Sequence, residues 1–113
     1  ALAYVTEKIR HADESGAISP GELDGLPALI LSQEIEGTSY RTYLYFQDGA
    51  LKELLTEASR EVTPEQGTVI VSLAGFSIEK TEDGFYSVRA EDANGEVLSA
   101  YIRPRTEVAN SNA

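Results

Sequence analysis

The chain has 113 residues, of which 42% are hydrophobic and 25% charged, a composition typical of one globular domain rather than of a disordered chain. Its 19 acidic and 9 basic residues give a formal charge of −10, so DNA, RNA and anionic lipid surfaces are repelled and no nucleic-acid partner is expected. The absence of cysteine excludes disulfides, thiolate metal sites and a cysteine nucleophile.

A helix is predicted over residues 1–13. Its apolar residues Leu2, Val5, Ile9 and Ala12 fall within a narrow arc at the helical repeat of about 100° per residue. A helix of about a dozen residues is marginal alone in water. We therefore expect this stripe to dock on the rest of the domain, or the helix to continue a longer one upstream, or both.

A connecting loop is predicted next, marked by Ser19-Pro20-Gly21 and by Asp24-Gly25-Leu26-Pro27. From Pro27 onward the chain consists of short β-type runs separated by pairs that end in glycine, a pattern typical of hairpins. The pairs are Glu36-Gly37, Asp48-Gly49, Asp83-Gly84 and Asn94-Gly95. Glycine accepts the positive φ of tight type I′ turns, and asparagine or aspartate tolerates it in the preceding position, so the last three pairs are the stronger signals.

The runs between these turns predict about six strands in an antiparallel meander over residues 27–105. Alternation within residues 38–47 places Leu44 and Phe46 on one face and Tyr43 and Tyr45 on the other. Residues 51–58 have a composition that favours helix, but their place after a turn favours a returning strand, which is the interpretation preferred here. The predicted runs are 28–35, 38–47, 50–56, 69–73 with 76–80, 85–90 and 96–103.

The predicted fold is therefore α+β, with the N-terminal helix packed on one face of an antiparallel meander sheet. The other face is expected to remain partly solvated and to carry aromatic side chains. Residues 1–107 are predicted to form a single domain, and residues 108–113 a flexible tail.

Tyrosines provide the best candidate interaction surface, because each combines a large contact area with a polar tip. The alternative is that they form cross-strand pairs that cover the sheet. Arg103 and Arg105 flank Pro104 at the end of the last predicted strand, where they either pair locally or mark a subunit contact. The tyrosines concerned are Tyr40, Tyr43, Tyr45, Tyr86 and Tyr101.

No motif predicts a catalytic residue, a cofactor or a metal site. His11 is the only histidine and is interpreted as a surface or helix-end residue. Residues 91–96 gather oxygen ligands around a glycine but lack the spacing of an EF-hand loop, which favours a hairpin tip. Carboxylates such as Glu34 and Glu36 have the pattern of a solvated acidic surface rather than of a glycosidase pair. We therefore expect no enzymatic activity.

The order of helix, loop, antiparallel meander and terminal Arg103-Pro104-Arg105 resembles the head of type IV pilin-like and pseudopilin proteins. Residues 1–105 also resemble an uncharacterised family of Firmicute proteins, domain-of-unknown-function family 4860. This family shares the helix end at residues 9–13 and the stretches Gly25-Leu26-Pro27-Ala28 and Asp48-Gly49-Ala50-Leu51. The pilin resemblance implies a membrane-spanning helix upstream that continues into this domain, with other pilin-like subunits as partners.

Three functions follow as hypotheses. The first is a non-enzymatic, extracytoplasmic structural head domain, attached to the membrane only through an N-terminal hydrophobic helix that precedes Ala1. The second is a small extracellular ligand- or carbohydrate-binding module that uses the tyrosine-bearing face. The third is an enzyme with dispersed carboxylates, which would require a pocket holding two carboxylates with mutually shifted pKa values.

Overall fold

The computed structural model describes residues 2–14 and 17–102, which form one α-helix, seven antiparallel strands and a short 3₁₀ helix at Pro64–Gln66. Each strand pairs with its neighbours in sequence, so the sheet is a continuous meander. The α+β fold class is thereby confirmed. No helix in these residues has the length and apolar character needed to cross a membrane. The elements are α1 (Leu2–Glu14), β1 (Ile18–Leu23), β2 (Leu26–Ile35), β3 (Thr38–Gln47), β4 (Ala50–Glu57), β5 (Thr68–Lys80), β6 (Tyr86–Asp92) and β7 (Val97–Ile102).

The sheet has seven strands rather than about six, because the predicted connecting loop contains β1. This strand lies at the sheet edge, where a proline such as Pro20 is tolerated although it donates no ladder hydrogen bond. A Cβ on Gly21 would lie 2.6 Å from Cδ1 of Ile30, so glycine permits the close approach of β2. The sheet therefore begins at Ile18 instead of residue 27.

Two-residue turns join the first four strands. Asp24-Gly25, Glu36-Gly37 and Asp48-Gly49 have positive φ at both positions, as type I′ turns require. The first of these pairs was expected within a loop. The second was a weaker hairpin signal than the pairs that contain aspartate or asparagine. Because the flanking strands pair up to the turn, tertiary structure holds even Glu36 at a φ of 52°.

The last two turns are of a different kind. Gly84 and Gly95 have positive φ, but Asp83 and Asn94 do not. The N–H of Gly84 donates to the carbonyl of Thr81 at 3.1 Å, and Gly95 makes the equivalent bond to Asp92. Both predicted hairpins are therefore present, closed by longer loops in which glycine takes the left-handed position.

The ambiguous run after the third turn is strand β4, as preferred from its position. Its alternation buries Leu51 on one face of the sheet and Leu54 on the other. The next strand, β5, unites the two runs predicted as 69–73 and 76–80. Its residues up to Ser72 pair with β4 and those from Leu73 onward pair with β6, and a register shift between Leu73 and Gly75 interrupts the β5–β6 ladder.

The main core lies between α1 and one face of the sheet, and α1 contacts both edge strands, β1 and β7. The predicted docking stripe is confirmed, because Leu2, Val5 and Ile9 are 2%, 3% and 4% exposed. Each such burial contributes about 1.5–3 kcal/mol. The main core consists of Leu2, Val5, Ile9, Ile18, Leu29, Leu31, Leu44, Leu51, Leu73, Val88, Ala90, Leu98 and Ile102.

The opposite face of β2, β3 and β4 is partly solvated, as expected, since Ser32, Glu34 and Arg41 are exposed there. Its tyrosines Tyr43 and Tyr45, however, are buried instead of lining the solvated part. Residues 58–67 provide cover over these tyrosines, with Val62 packed against the cluster and Pro64 buried. The hydroxyl of Tyr45 donates a 2.5 Å hydrogen bond to the carbonyl of Pro64, which allows the whole side chain to be buried. This back-face cluster consists of Leu23, Ala28, Tyr43, Tyr45 and Leu54.

Candidate functional site

The five candidate tyrosines do not form one surface. Tyr43 and Tyr45 are buried in the back-face cluster, at 8% and 0% exposure. Tyr86 is half-buried against the main core, and Tyr40 is half-buried on the same side of the sheet by strand alternation. Tyr101 is 66% exposed on the edge strand β7.

The two candidate arginines, Arg103 and Arg105, lie outside the described residues, as do the last predicted strand residues and the predicted tail. Among the described residues, the tyrosine surface is thus dispersed over both faces of the sheet. A different feature brings chemical groups together.

An open cleft of about 700 Å³ runs along one flank of α1, on the main-core side of the sheet. The helix contributes Tyr4, Lys8 and His11, whose spacing places them on one side of α1. Strand β4 contributes Glu53 and Leu55 opposite them. Further lining residues are Leu31, Ser32 and Gln33 of β2, Thr42 of β3, and Glu7, Ala12 and Ala17.

A polar clamp closes one part of the cleft. The ammonium of Lys8 lies 2.5 Å from the Glu53 carboxylate and donates to the hydroxyl of Tyr4 at 2.9 Å. That hydroxyl in turn lies 3.1 and 3.3 Å from the two carboxylate oxygens of Glu53. Lys8 also sits 5.1 Å from the centre of the Tyr4 ring. The charges of Lys8 and Glu53 therefore neutralise each other, and the hydrogen bonds of the Tyr4 hydroxyl to both groups add to the tie between α1 and β4.

The clamp changes the proton affinity of Lys8. Burial lowers the pKa of Lys8, but the hydrogen bonds to Glu53 and Tyr4 together with the Glu53 charge outweigh it, so the net shift is upward. At neutral pH the amine is thus held in its charged form. This protonation state suits an electrostatic tie and opposes a role for Lys8 as a nucleophile or base.

The remaining charged groups of this cleft are exposed. Glu7 pairs with Arg10 one helical turn away, and the hydrogen bond and charge of Arg10 lower the pKa of Glu7. His11 is exposed in the last turn of α1, which agrees with the interpretation of this residue as a surface or helix-end histidine.

The acidic hairpin at residues 91–96 uses its carboxylate internally. Oδ1 of Asp92 accepts hydrogen bonds from the backbone N–H groups of Asn94 at 2.9 Å and Glu96 at 2.8 Å. The side chain therefore supports the turn, as expected for a hairpin tip. Within residues 2–14 and 17–102, no group of three or more histidine, cysteine or acidic side chains is placed to hold a metal ion.

Sequence reasoning did not find the cleft, because its two walls come from segments that are 49 residues apart at Tyr4 and Glu53. The helical spacing of Tyr4, Lys8 and His11 was present in the sequence. Only the packing angle of α1 on the sheet makes that flank face β4.

Residues 1–102 match the sequence model of a family described as a domain of unknown function, DUF4860. The chain belongs to the DUF4860 family. The resemblance to this family seen in the sequence is thus confirmed. The match extends over α1 and all seven strands of the DUF4860 domain. No curated protein and no solved structure matches the chain.

Proposed function

We propose that this DUF4860 domain is the non-enzymatic, extracytoplasmic head of a membrane-anchored, pilin-like subunit, and that its partners are other subunits of that kind. The observation that carries the proposal is the docking of α1. The helix is buried through Leu2, Val5 and Ile9, so it joins the sheet from its first described turn.

The attachment of α1 suits a helix that fixes the position of a head domain. Its apolar stripe packs into the main core, and the clamp of Tyr4 and Lys8 on Glu53 adds a polar tie to β4. A displacement of the helix therefore moves the sheet with it instead of bending a flexible hinge. An upstream stretch of about 20 apolar residues would lengthen the helix by about 30 Å, the thickness of a bilayer core.

The N-terminus of the natural protein tests the proposal. Peptide mass spectrometry on the membrane fraction should find a mature start on a modified hydrophobic residue, produced by cleavage after glycine and running without a break into Ala1. A lipid-modified cysteine, an ordinary signal-peptide cleavage, or a soluble protein starting with methionine would each contradict the pilin-like model.

The alternative of a ligand- or carbohydrate-binding module depends on the tyrosine-bearing face. Such a face would have to function without Tyr43 and Tyr45, whose rings are buried in the back-face cluster. The cleft beside α1 would be the more suitable concave surface. A glycan array that gave specific binding, lost on substitution of a cleft residue, would favour this alternative over the structural role.

A further inference from the structure

The β6–β7 hairpin carries the only asparagine of the chain that precedes a glycine. Of the three asparagines in the sequence, Asn94 is followed by Gly95, whereas Asn110 and Asn112 precede serine and alanine. Glycine has no side chain that would shield its backbone nitrogen from the preceding residue. The nitrogen of Gly95 is therefore the least shielded nucleophile that faces an asparagine side chain in this sequence.

The side chain of Asn94 is open to chemical attack. Asn94 and Gly95 are both exposed in the loop between β6 and β7. The backbone N–H of Asn94 is bonded, but its side-chain amide makes no hydrogen bond to another of the described residues. Water therefore reaches this amide, and no hydrogen bond within the described part of the chain restrains its rotation towards the backbone.

Hydrogen bonds in the loop hold back the nitrogen that would attack. The N–H of Gly95 donates to the carbonyl of Asp92 at 3.1 Å. Oδ1 of Asp92 accepts the N–H groups of Asn94 at 2.9 Å and of Glu96 at 2.8 Å, and the N–H of Asp92 donates to the carbonyl of Glu96 at 2.9 Å. The attack therefore requires the loop to open, and a hairpin tip opens far more often than a whole domain unfolds.

We propose that Asn94 is a site of spontaneous deamidation, reached through local opening of this loop, and that Asp92 is the positioning residue that slows the reaction. The backbone nitrogen of Gly95 loses its proton and bonds to Cγ of Asn94, and the side-chain nitrogen takes up a proton and leaves as ammonia. Water then opens the cyclic imide at either carbonyl, which yields aspartate or isoaspartate. The net reaction consumes one water molecule and releases one ammonia. This inference goes beyond the proposed function and does not depend on it.

The isoaspartate product would disturb the hairpin that holds the last strand. Its backbone runs through the former side chain, so the loop becomes longer by one carbon atom between the N–H groups that Asp92 binds. Its new carboxylate also adds a negative charge to a chain that already carries −10. Strand β7 contributes Leu98 and Ile102 to the main core and contacts α1. A distorted hairpin therefore weakens the packing of β7 on the helix.

Timed incubation of the full 113-residue chain tests the proposal. Folded and denatured samples are digested with trypsin, and mass spectrometry measures the conversion of amide to carboxyl. Cleavage after Arg89 and Arg105 isolates Asn94 in residues 90–105, and the other two asparagines fall in residues 106–113 as an internal control. We expect conversion of Asn94 in both samples, severalfold more slowly in the folded chain, and much less conversion in the control peptide.

Substitutions in the loop test the role of each group. Asn94→Gln keeps an amide but lengthens the side chain, so the imide closes poorly and the conversion should disappear. Asp92→Ala removes the bonds to the N–H groups of Asn94 and Glu96 and should accelerate the conversion severalfold. Thermal unfolding establishes that Asp92→Ala is folded. Amide hydrogen exchange of Gly95 in the natural chain measures the opening of the loop without any variant, and it should be slower than in an unfolded peptide.

A matched pair separates the effect of the longer backbone from that of the added charge. Asn94→Asp carries the added charge in an ordinary backbone and should unfold at nearly the temperature of the natural chain. The isoaspartate form, isolated by ion exchange, should unfold at a lower temperature.

Four results would overturn the proposal. The folded chain could stay unmodified while the denatured chain is fully converted, or Asn110 and Asn112 could react as fast as Asn94. Folded Asp92→Ala could react no faster than the natural chain, or the Gly95 amide of the natural chain could exchange as fast as in an unfolded peptide.

Discussion

The hydroxyl of Tyr45 occupies the space that a side chain on residue 67 would require. A Cβ built on Gly67 lies 2.1 Å from that oxygen and 3.0 Å from Cζ of the same ring. Tyr45 is fully buried and bonded to Pro64, so its ring has no open space to move into. This contact fixes residues 58–67 against the back face of the sheet.

Gly67→Ala should therefore destabilise the domain by about 1–3 kcal/mol, the usual cost of overpacking a well-packed site. Chemical denaturation measures this loss. Gly75→Ala is the matched control, since a Cβ there meets no atom within 4 Å, and its effect should stay within about 0.5 kcal/mol. Tyr45→Phe added to Gly67→Ala should recover part of the loss. Equal effects of the two glycine substitutions would contradict the proposed contact.

Tyr45 also predicts the response of stability to alkaline pH. Burial raises the pKa of the Tyr45 hydroxyl, the Glu65 charge raises it further, and the backbone at Gly67 opposes the shift. In the unfolded chain the hydroxyl ionises near pH 10, so the folded state retains a proton that the unfolded state loses above that pH. The free energy of unfolding should therefore fall as pH rises from about 10 towards the native pKa.

Tyr45→Phe should show a smaller alkaline loss of stability, although it is less stable at neutral pH by about 1 kcal/mol for the lost hydrogen bond. Denaturation at pH 8 and above pH 10 measures both effects. Tyr101→Phe, at an exposed tyrosine, should retain the full alkaline loss. Identical pH dependence in the two variants would show that Tyr45 does not account for it.

The buried apolar stripe of α1 predicts that truncating Ile9 causes a large loss of stability. This side chain is 4% exposed within the main core, so Ile9→Ala should cost about 2–5 kcal/mol through lost burial and a residual cavity. Glu7→Ala, on the exposed side of the same helix, should leave the free energy of unfolding nearly unchanged. A small effect at Ile9 would mean that the sheet is stable without the helix.

The buried hydroxyl of Thr81 leads to a prediction that replacing this residue leaves the stability of the domain unchanged or raises it. Its hydroxyl oxygen is buried and has no hydrogen-bond partner among the described residues. Valine has nearly the same shape and removes the unsatisfied group, so Thr81→Val should leave stability unchanged or raise it by up to about 1 kcal/mol. Thr68→Val, at an exposed position, controls for the general effect of exchanging threonine for valine. Destabilisation at Thr81 would imply a hydrogen bond to its hydroxyl in solution.

Local patterns predicted most of this fold because they involve few residues. The helical repeat of Leu2, Val5 and Ile9 specifies the docking stripe, and glycine pairs such as Asp48-Gly49 specify the turns. Alternation in β3 separated Leu44 from Tyr43 correctly.

The missed features depend on groups that are distant in sequence. Pro20 and Gly21 have the composition of a loop, and only the close approach of Ile30 explains them within a strand. The burial of Tyr45 depends on the segment around Pro64, which has no repeat that would indicate it covers a sheet. Predicting the cleft would have required the orientation of α1 on the sheet, which no single segment of the sequence specifies.

The meander has a consequence for the order in which the domain assembles. Every strand pairs with its neighbour along the chain, so each hairpin closes a short loop at little entropic cost. The contact of α1 with β7 differs, because it joins the first element to the last. We infer that the hairpins form early and that this contact, with the longest loop to close, completes the fold only after the seven strands are in place.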